Sequence, residues 1–179
     1  LTEADVAADT LSAQYLYWSY MGWRQGDHSP STTSHPRPAR ISSFAVVDSL
    51  LLRLAGLNPA LEDIVVAGHS AGGQFLNRYA AGNQVHERLL AEYGITVHYL
   101  VSNPSSYLYF DAKRWVPGTE NQFAVPYDFL PLCANYDQYK YGLVTPNEYM
   151  SIGSAVLRAN YAARPVSYLL GGNDIDPFS

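Results

Sequence analysis

Residues 64–74 read Ile-Val-Val-Ala-Gly-His-Ser-Ala-Gly-Gly-Gln and join a short apolar segment to a helical one. The run of β-branched apolar residues is typical of a strand covered on both faces of a parallel sheet. Residues 74–81 continue in a helical pattern that Gly82 closes. This stretch therefore predicts a buried strand, a sharp turn centred on Ser70 and a helix, in that order.

The flanking sequence repeats the alternation of helix and strand. Helices are predicted from a cap at Ser42 or Ser43 to Gly56, over residues 85–93, and after the capping box Thr145-Pro146-Asn147-Glu148. Strands are predicted over residues 95–101 and 166–170. This order predicts the α/β class, with a mostly parallel sheet flanked by helices and right-handed crossovers.

Residues 103–141 interrupt the alternation with aromatics, prolines and polar side chains. The segment is too long for an ordinary connection and too apolar for a disordered one. It predicts a cap-like insertion over the active-site edge of the sheet. With 179 residues and 47% hydrophobic content, the chain is expected to form a single domain over residues 1–179.

Composition excludes several classes of function. A formal net charge of -5 without Lys/Arg clusters argues against nucleic acid as a partner. No apolar run approaches the ~20 residues of a membrane helix, so no membrane span is expected. No metal-ligand spacing and no dinucleotide- or phosphate-binding loop is found, so neither a metal nor a cofactor is expected. Export and a cytoplasmic location both stay open.

The turn at Ser70 has the features that an activated serine needs. A serine hydroxyl is a poor nucleophile unless it is presented to a base beside donors that stabilise an oxyanion. Gly68 and Gly72 are expected to remove side chains that would collide in the turn, and the backbone N–H of Ala71 to face the oxyanion. His69 is expected to point away from Ser70. Residues 68–72 are called the elbow below.

The partners of such a serine follow it along the chain. Asp174, in a Gly-x-x-Asp turn after the strand at 166–170, is the candidate acid, with Asp176 and Asp111 in reserve. An aspartate that caps a turn is the alternative. No histidine follows Asp174, and the five present are better explained as surface or structural residues: His28, His35, His69, His86 and His98. The base is therefore expected beyond Ser179.

Five segments together resemble the α/β-hydrolase superfamily, and within it a poorly characterised bacterial and fungal group. They are Ile-Ser-Ser-Phe at 41–44, residues 68–74 with Arg-Tyr-Ala at 78–80, Asn-Pro-Ser-Ser-Tyr at 103–107, Lys-Tyr-Gly-Leu at 140–143, and Leu-Leu-Gly-x-x-Asp at 169–174. The resemblance implies Ser70 as nucleophile, Asp174 as acid, and a histidine from a Gly-His segment near a C-terminus that this chain lacks. It further implies an incomplete fold, truncated at both ends, and a disulfide between Cys133 and the absent tail, which would indicate export.

These features predict a serine hydrolase of small-molecule carboxylic esters that works through an acyl-enzyme on Ser70. Aromatic residues of the insertion are expected to line its acyl or alcohol pocket: Trp115, Phe123, Tyr127, Phe129 and Tyr136. A non-catalytic scaffold that keeps the elbow for structural reasons, and an acyltransferase with the same nucleophile, are the open alternatives. The oligomeric state is not indicated by the sequence.

Overall fold

A computed structural model describes residues 3–8, 15–33, 35–127 and 130–173. In chain order its helices are α1 Glu3–Ala8, a 3-10 helix Gly22–Gln25, α2 Ser43–Leu57, α3 Ala71–Gly82, α4 His86–Tyr93 and α5 Ser154–Ala163. Its strands are β1 Asp63–His69, β2 Thr96–Ser102, β3 Arg114–Trp115, β4 Phe123–Ala124 and β5 Val166–Leu169. The predicted mixture of helices with a parallel sheet is confirmed.

The sheet contains three parallel strands in the order β1-β2-β5. Along β1 and β2 the register pairs Asp63 with Thr96 and His69 with Ser102, and Ser102 in turn lies beside Leu169 of β5. The carboxyl ends of all three strands therefore meet at one edge of the sheet, next to Ser70. Ligands bind at this edge in open parallel sheets.

One face of the sheet is packed against helices. Val97, Tyr99 and Val101 of β2 are buried where α3 and α4 cover the strand. On β1 the alternate side chains are exposed, and Val65 keeps 64% of its surface accessible. The prediction of a strand buried on both faces was therefore wrong for the part of the chain that the structure describes.

The far end of α3 lies in a buried polar network. Tyr79 and Tyr149 both donate hydrogen bonds to the carboxylate of Asp48, at 2.8 Å and 2.6 Å. Desolvation raises the pKa of Asp48 above its ordinary value, although the two tyrosine hydrogen bonds oppose that shift. Arg164 donates to the backbone oxygens of Ala80 and Asn83, so carbonyl groups at the end of α3 have partners.

The helix predicted from Thr145 begins later, at Ser154. Tyr149 is drawn into the core by its bond to Asp48, and Gly153 adopts a φ of 101° just before the helix. The side chain of Asn147 accepts from the backbone N–H of Met150 at 3.1 Å and so stabilises a separate turn. The burial of Tyr149 therefore stabilises this turn more than the predicted cap would have stabilised a helix beginning at Thr145.

The insertion at 103–141 contains mostly turns and the short antiparallel hairpin β3–β4. Arg114 holds it together: its guanidinium lies 3.9 Å from the ring centre of Tyr109 and 4.9 Å from that of Tyr136. Across the described ranges, no helix combines the length and apolar character needed to cross a bilayer.

Candidate active site

Ser70 connects β1 to α3 in a strained backbone conformation. Its φ of 53° and ψ of -115° lie where side chains other than glycine are rarely found. The backbone N–H of Ser70 donates to the carbonyl oxygen of Ser102 at 3.0 Å, which ties the turn to the end of β2. Such strain persists only where the surrounding structure enforces it, and it is concentrated at functional sites.

Two glycines make this tight turn possible. A Cβ atom on Gly68 would lie 2.3 Å from the carbonyl oxygen of Gly72, and one on Gly73 would lie 2.5 Å from that of Ser102. A Cβ atom on Gly72 would meet nothing within 4 Å. The steric requirement predicted for Gly68 is confirmed, whereas the one predicted for Gly72 was wrong and falls on Gly73.

Ser70 is an exposed residue, and its hydroxyl makes no capping hydrogen bond to α3. Serine at this position commonly accepts from the first backbone N–H groups of the helix. Ala71 is the first residue of α3, so its N–H belongs to the positive end of the helix dipole. Its assignment as an oxyanion donor stays a prediction.

Residues at the ends of all three strands line a cavity of about 350 Å³ beside the elbow: His69, Ser102, Asn103, Leu169, Leu170 and Gly171. Asn103 has a φ of 37°, its N–H donates to the carbonyl of Leu169, and its Oδ1 accepts from the N–H of Gly171 at 2.8 Å. Asn103 therefore fixes the chain as it leaves β5. Nothing in the sequence marks this role except the residue's position in the 103–107 motif.

A partly buried network of hydrogen bonds connects the loop after β2 to α3. The Gln74 amide donates to the hydroxyl of Ser105 at 2.7 Å, and its oxygen accepts from that of Ser106 at 3.2 Å. Arg78, which is fully buried, donates to Ser106 at 3.0 Å and to the carbonyl oxygen of Lys140. Sequence reasoning found Gln74 and Arg78 only as parts of a motif.

Of the three candidate acids, the structure describes Asp111 alone. Asp174 and Asp176 lie outside the described residues, so their roles stay predictions. Asp111 is exposed, and its carboxylate accepts from the backbone N–H of Lys113 at 2.6 Å. That contact is the turn-capping arrangement expected of an ordinary aspartate.

Three histidine side chains of the described ranges contact residues other than Ser70. The ring of His86 lies 2.9 Å from the hydroxyl of Tyr99, and that of His98 lies 3.0 Å from Asp63. His28 faces Glu148 at 3.6 Å. His69 is exposed, and strand alternation places it on the sheet face opposite α3. The prediction that none of them acts as the base is untested.

The described aromatic side chains that were expected to line a substrate pocket lie in different surroundings. Trp115 and Tyr127 line one groove of about 490 Å³ on the hairpin, whereas Tyr136 stacks on Arg114. Phe123 is 57% exposed, and Phe129 lies outside the described residues.

The described ranges contain no cluster of three or more His, Cys, Asp or Glu side chains suited to a metal ion. Cys133 is exposed, and its predicted disulfide is untested.

No protein-family model matches the chain, and neither does any curated protein sequence. Among solved structures, it is similar to poly(aspartic acid) hydrolase-1 from Sphingomonas sp. KT-1, at 20% identity and a TM-score of 0.48. The match covers 94% of this chain and 48% of that one, so the chain spans about half the length of that structure. Likeness at this level carries no argument about activity.

Proposed function

We propose that this protein is a serine hydrolase of carboxylic esters, with Ser70 as the acylated nucleophile. The observation that carries the proposal is the conformation of Ser70, at φ 53° and ψ -115° between β1 and α3. Ser70 is exposed at the carboxyl edge of a parallel sheet, and its hydroxyl is free of a helix-capping bond. Strained residues are concentrated at functional sites, which supports the proposal.

The proposed reaction has two steps. The Oγ of Ser70 attacks the ester carbonyl while its proton passes to a base, and the N–H of Ala71 donates to the developing oxyanion. The C–O bond to the alcohol breaks, and the alcohol leaves with the proton. Water then attacks the acyl-serine ester, which releases the carboxylic acid and regenerates the hydroxyl.

Asp174 is proposed as the acid that orients the base. It follows Gly171 by three residues, and the Asn103 side chain holds the backbone of Gly171. The base is proposed to be a histidine other than the five in this chain. The contacts that three of the five make, with Tyr99, Asp63 and Glu148, support this proposal. Neither assignment affects the proposed role of Ser70.

Hydrolysis of p-nitrophenyl butyrate by the protein tests the proposal, with and without added imidazole as a small general base. With imidazole as the base, Ser70→Ala is expected to lower kcat/KM by ~10²-fold or more. The matched control is Ser49→Ala, which removes an exposed hydroxyl that donates to the carbonyl of Ala45 on α2. Equal rates for the two variants in the presence of imidazole would refute Ser70 as nucleophile.

Added imidazole distinguishes a nucleophilic Ser70 that lacks its base from a Ser70 that does not react at all. Because imidazole itself hydrolyses p-nitrophenyl esters, the rate measured without protein is subtracted. If the base comes from outside the five histidines, imidazole is expected to increase the remaining rate of the protein but not that of Ser70→Ala. Product analysis with added alcohols then separates hydrolysis from acyl transfer. A protein that shows no Ser70-dependent rate under either condition would be a scaffold.

A further inference from the structure

A positively charged cluster lies next to the elbow. It consists of Arg24 in the 3-10 helix, Gln74 and Arg78 in α3, and Ser105 and Ser106 after β2. Gln74 follows Ser70 by four residues, which is about one helical turn or ~6 Å along α3. A substrate whose ester group is at Ser70 would need to extend by about this distance to contact the cluster.

Arg78 is buried without a carboxylate partner. It donates to the carbonyl oxygen of Gln74 at 2.7 Å, to that of Lys140 and to the hydroxyl of Ser106, which are all uncharged. Desolvation lowers its pKa, and the nearby positive charge of Arg24 acts in the same direction. A buried cation normally has an anion beside it.

Arg24 is poorly satisfied by the protein. Its Nε is buried without a hydrogen-bond partner among the described residues, and its Nη1 reaches Gln74 only at 3.5 Å. Its remaining contacts are the Met21 sulfur, a weak acceptor, and the ring of Tyr20, 5.2 Å from the guanidinium carbon. The ion pairs formed within the described ranges include neither Arg24 nor Arg78.

We propose that this cluster binds a carboxylate of the substrate, with Arg24 supplying the charge and the hydroxyl of Ser105 a further donor. An arginine fork pairs with the two oxygens of a carboxylate, and such charge-assisted bonds are strong when partly buried. The substrate class is then a short half-ester of a dicarboxylic acid. That last step rests on the proposed function of Ser70, whereas carboxylate binding does not.

Binding is measured by calorimetric titration of the Ser70→Ala protein, so that no hydrolysis is needed. The probes are monomethyl succinate, which carries one carboxylate, and dimethyl succinate, which carries none. The half-ester is expected to bind at least about tenfold more tightly. Arg24→Gln is expected to remove that preference, and Arg24→Lys to restore part of it, because lysine keeps the charge but not the fork.

Arg53→Gln is the matched control, because it removes an equal charge from an exposed position on α2 and should leave the preference intact. Equal binding of the two probes to the Ser70→Ala protein, or an unchanged preference in Arg24→Gln, would overturn the inference. Preferential binding of the half-ester without Ser70-dependent hydrolysis would instead refute the proposed function alone.

Discussion

The two ends of α3 differ in how their polar groups are satisfied. At the first turn, Ser70 is strained and exposed, and its hydroxyl makes no cap. At the last turn, Arg164 binds the carbonyl oxygens of Ala80 and Asn83, and Tyr79 donates to a buried Asp48. The buried end provides the packing and hydrogen bonds that offset strain at the exposed end.

This difference predicts that substitutions at the two ends separate stability from activity. Changes at the Tyr79 end should lower the free energy of unfolding, whereas changes of the Ser70 side chain should abolish turnover at little cost in stability.

The largest expected effect comes from Asp48→Ala. It removes the acceptor of both Tyr79 and Tyr149 and leaves two hydroxyl protons without an acceptor, at about 2 kcal/mol each. The free energy of unfolding, measured by urea denaturation, should fall by about 4 kcal/mol. Ser49→Ala, on the same helix but exposed, should change it by less than about 0.5 kcal/mol. A similar small change for Asp48→Ala would remove the proposed anchor of α3.

Gly73→Ala and Gly72→Ala test the packing of the elbow itself. The new Cβ at position 73 would lie 2.5 Å from the carbonyl oxygen of Ser102, so a loss of about 3 kcal/mol is expected. At position 72 the Cβ meets open space, and alanine should stabilise the helix by about 0.5–1 kcal/mol. Urea denaturation of the pair should give opposite signs; equal losses would contradict the geometry of the turn.

Asp48 should also make stability depend on pH. Burial raises its pKa above the ordinary value of 3.8, so the unfolded chain loses this proton at lower pH than the folded protein. The contribution of Asp48 is fully present below pH 3.8 and is lost as the pH rises through the folded pKa. Compared with Asp48→Asn, the protein should lose up to about 1.4 kcal/mol per pH unit in that window. A constant difference between the two would contradict the raised pKa.

The smallest expected effect is a gain in stability from Ser70→Gly. Glycine adopts a φ of 53° without strain, so this variant should be about 1 kcal/mol more stable than Ser70→Ala, which keeps the strain. Thermal unfolding of the two variants gives the comparison. Both should lack esterase activity, and a less stable glycine variant would show that the turn is not strained.

The spacing of apolar residues predicted the helices and strands around the elbow, because the residues that cap these helices favour the same bounds as the burial of their apolar side chains. Ser42 caps α2 through the N–H of Phe44, and Gly94 ends α4 with a φ of 70°. At Thr145 a strong local signal failed because Tyr149 gains more from the core than the turn gains from becoming helical.

The steric requirement at Gly73 and the role of Asn103 could not be predicted. Both depend on contacts with a neighbouring strand: a Cβ on Gly73 would collide with Ser102 of β2, and Asn103 binds Gly171 after β5. Spacing along the chain contains no information about such distances. The same limit applies to Arg24, which reaches Gln74 across 50 residues.

The most direct test of Ser70 as nucleophile is covalent labelling by a fluorophosphonate, followed by peptide mass spectrometry. We expect one adduct per chain on Ser70, retained in Ser49→Ala and absent from Ser70→Ala. An adduct that persists in Ser70→Ala, or no adduct on Ser70 in the presence of imidazole, would contradict the account.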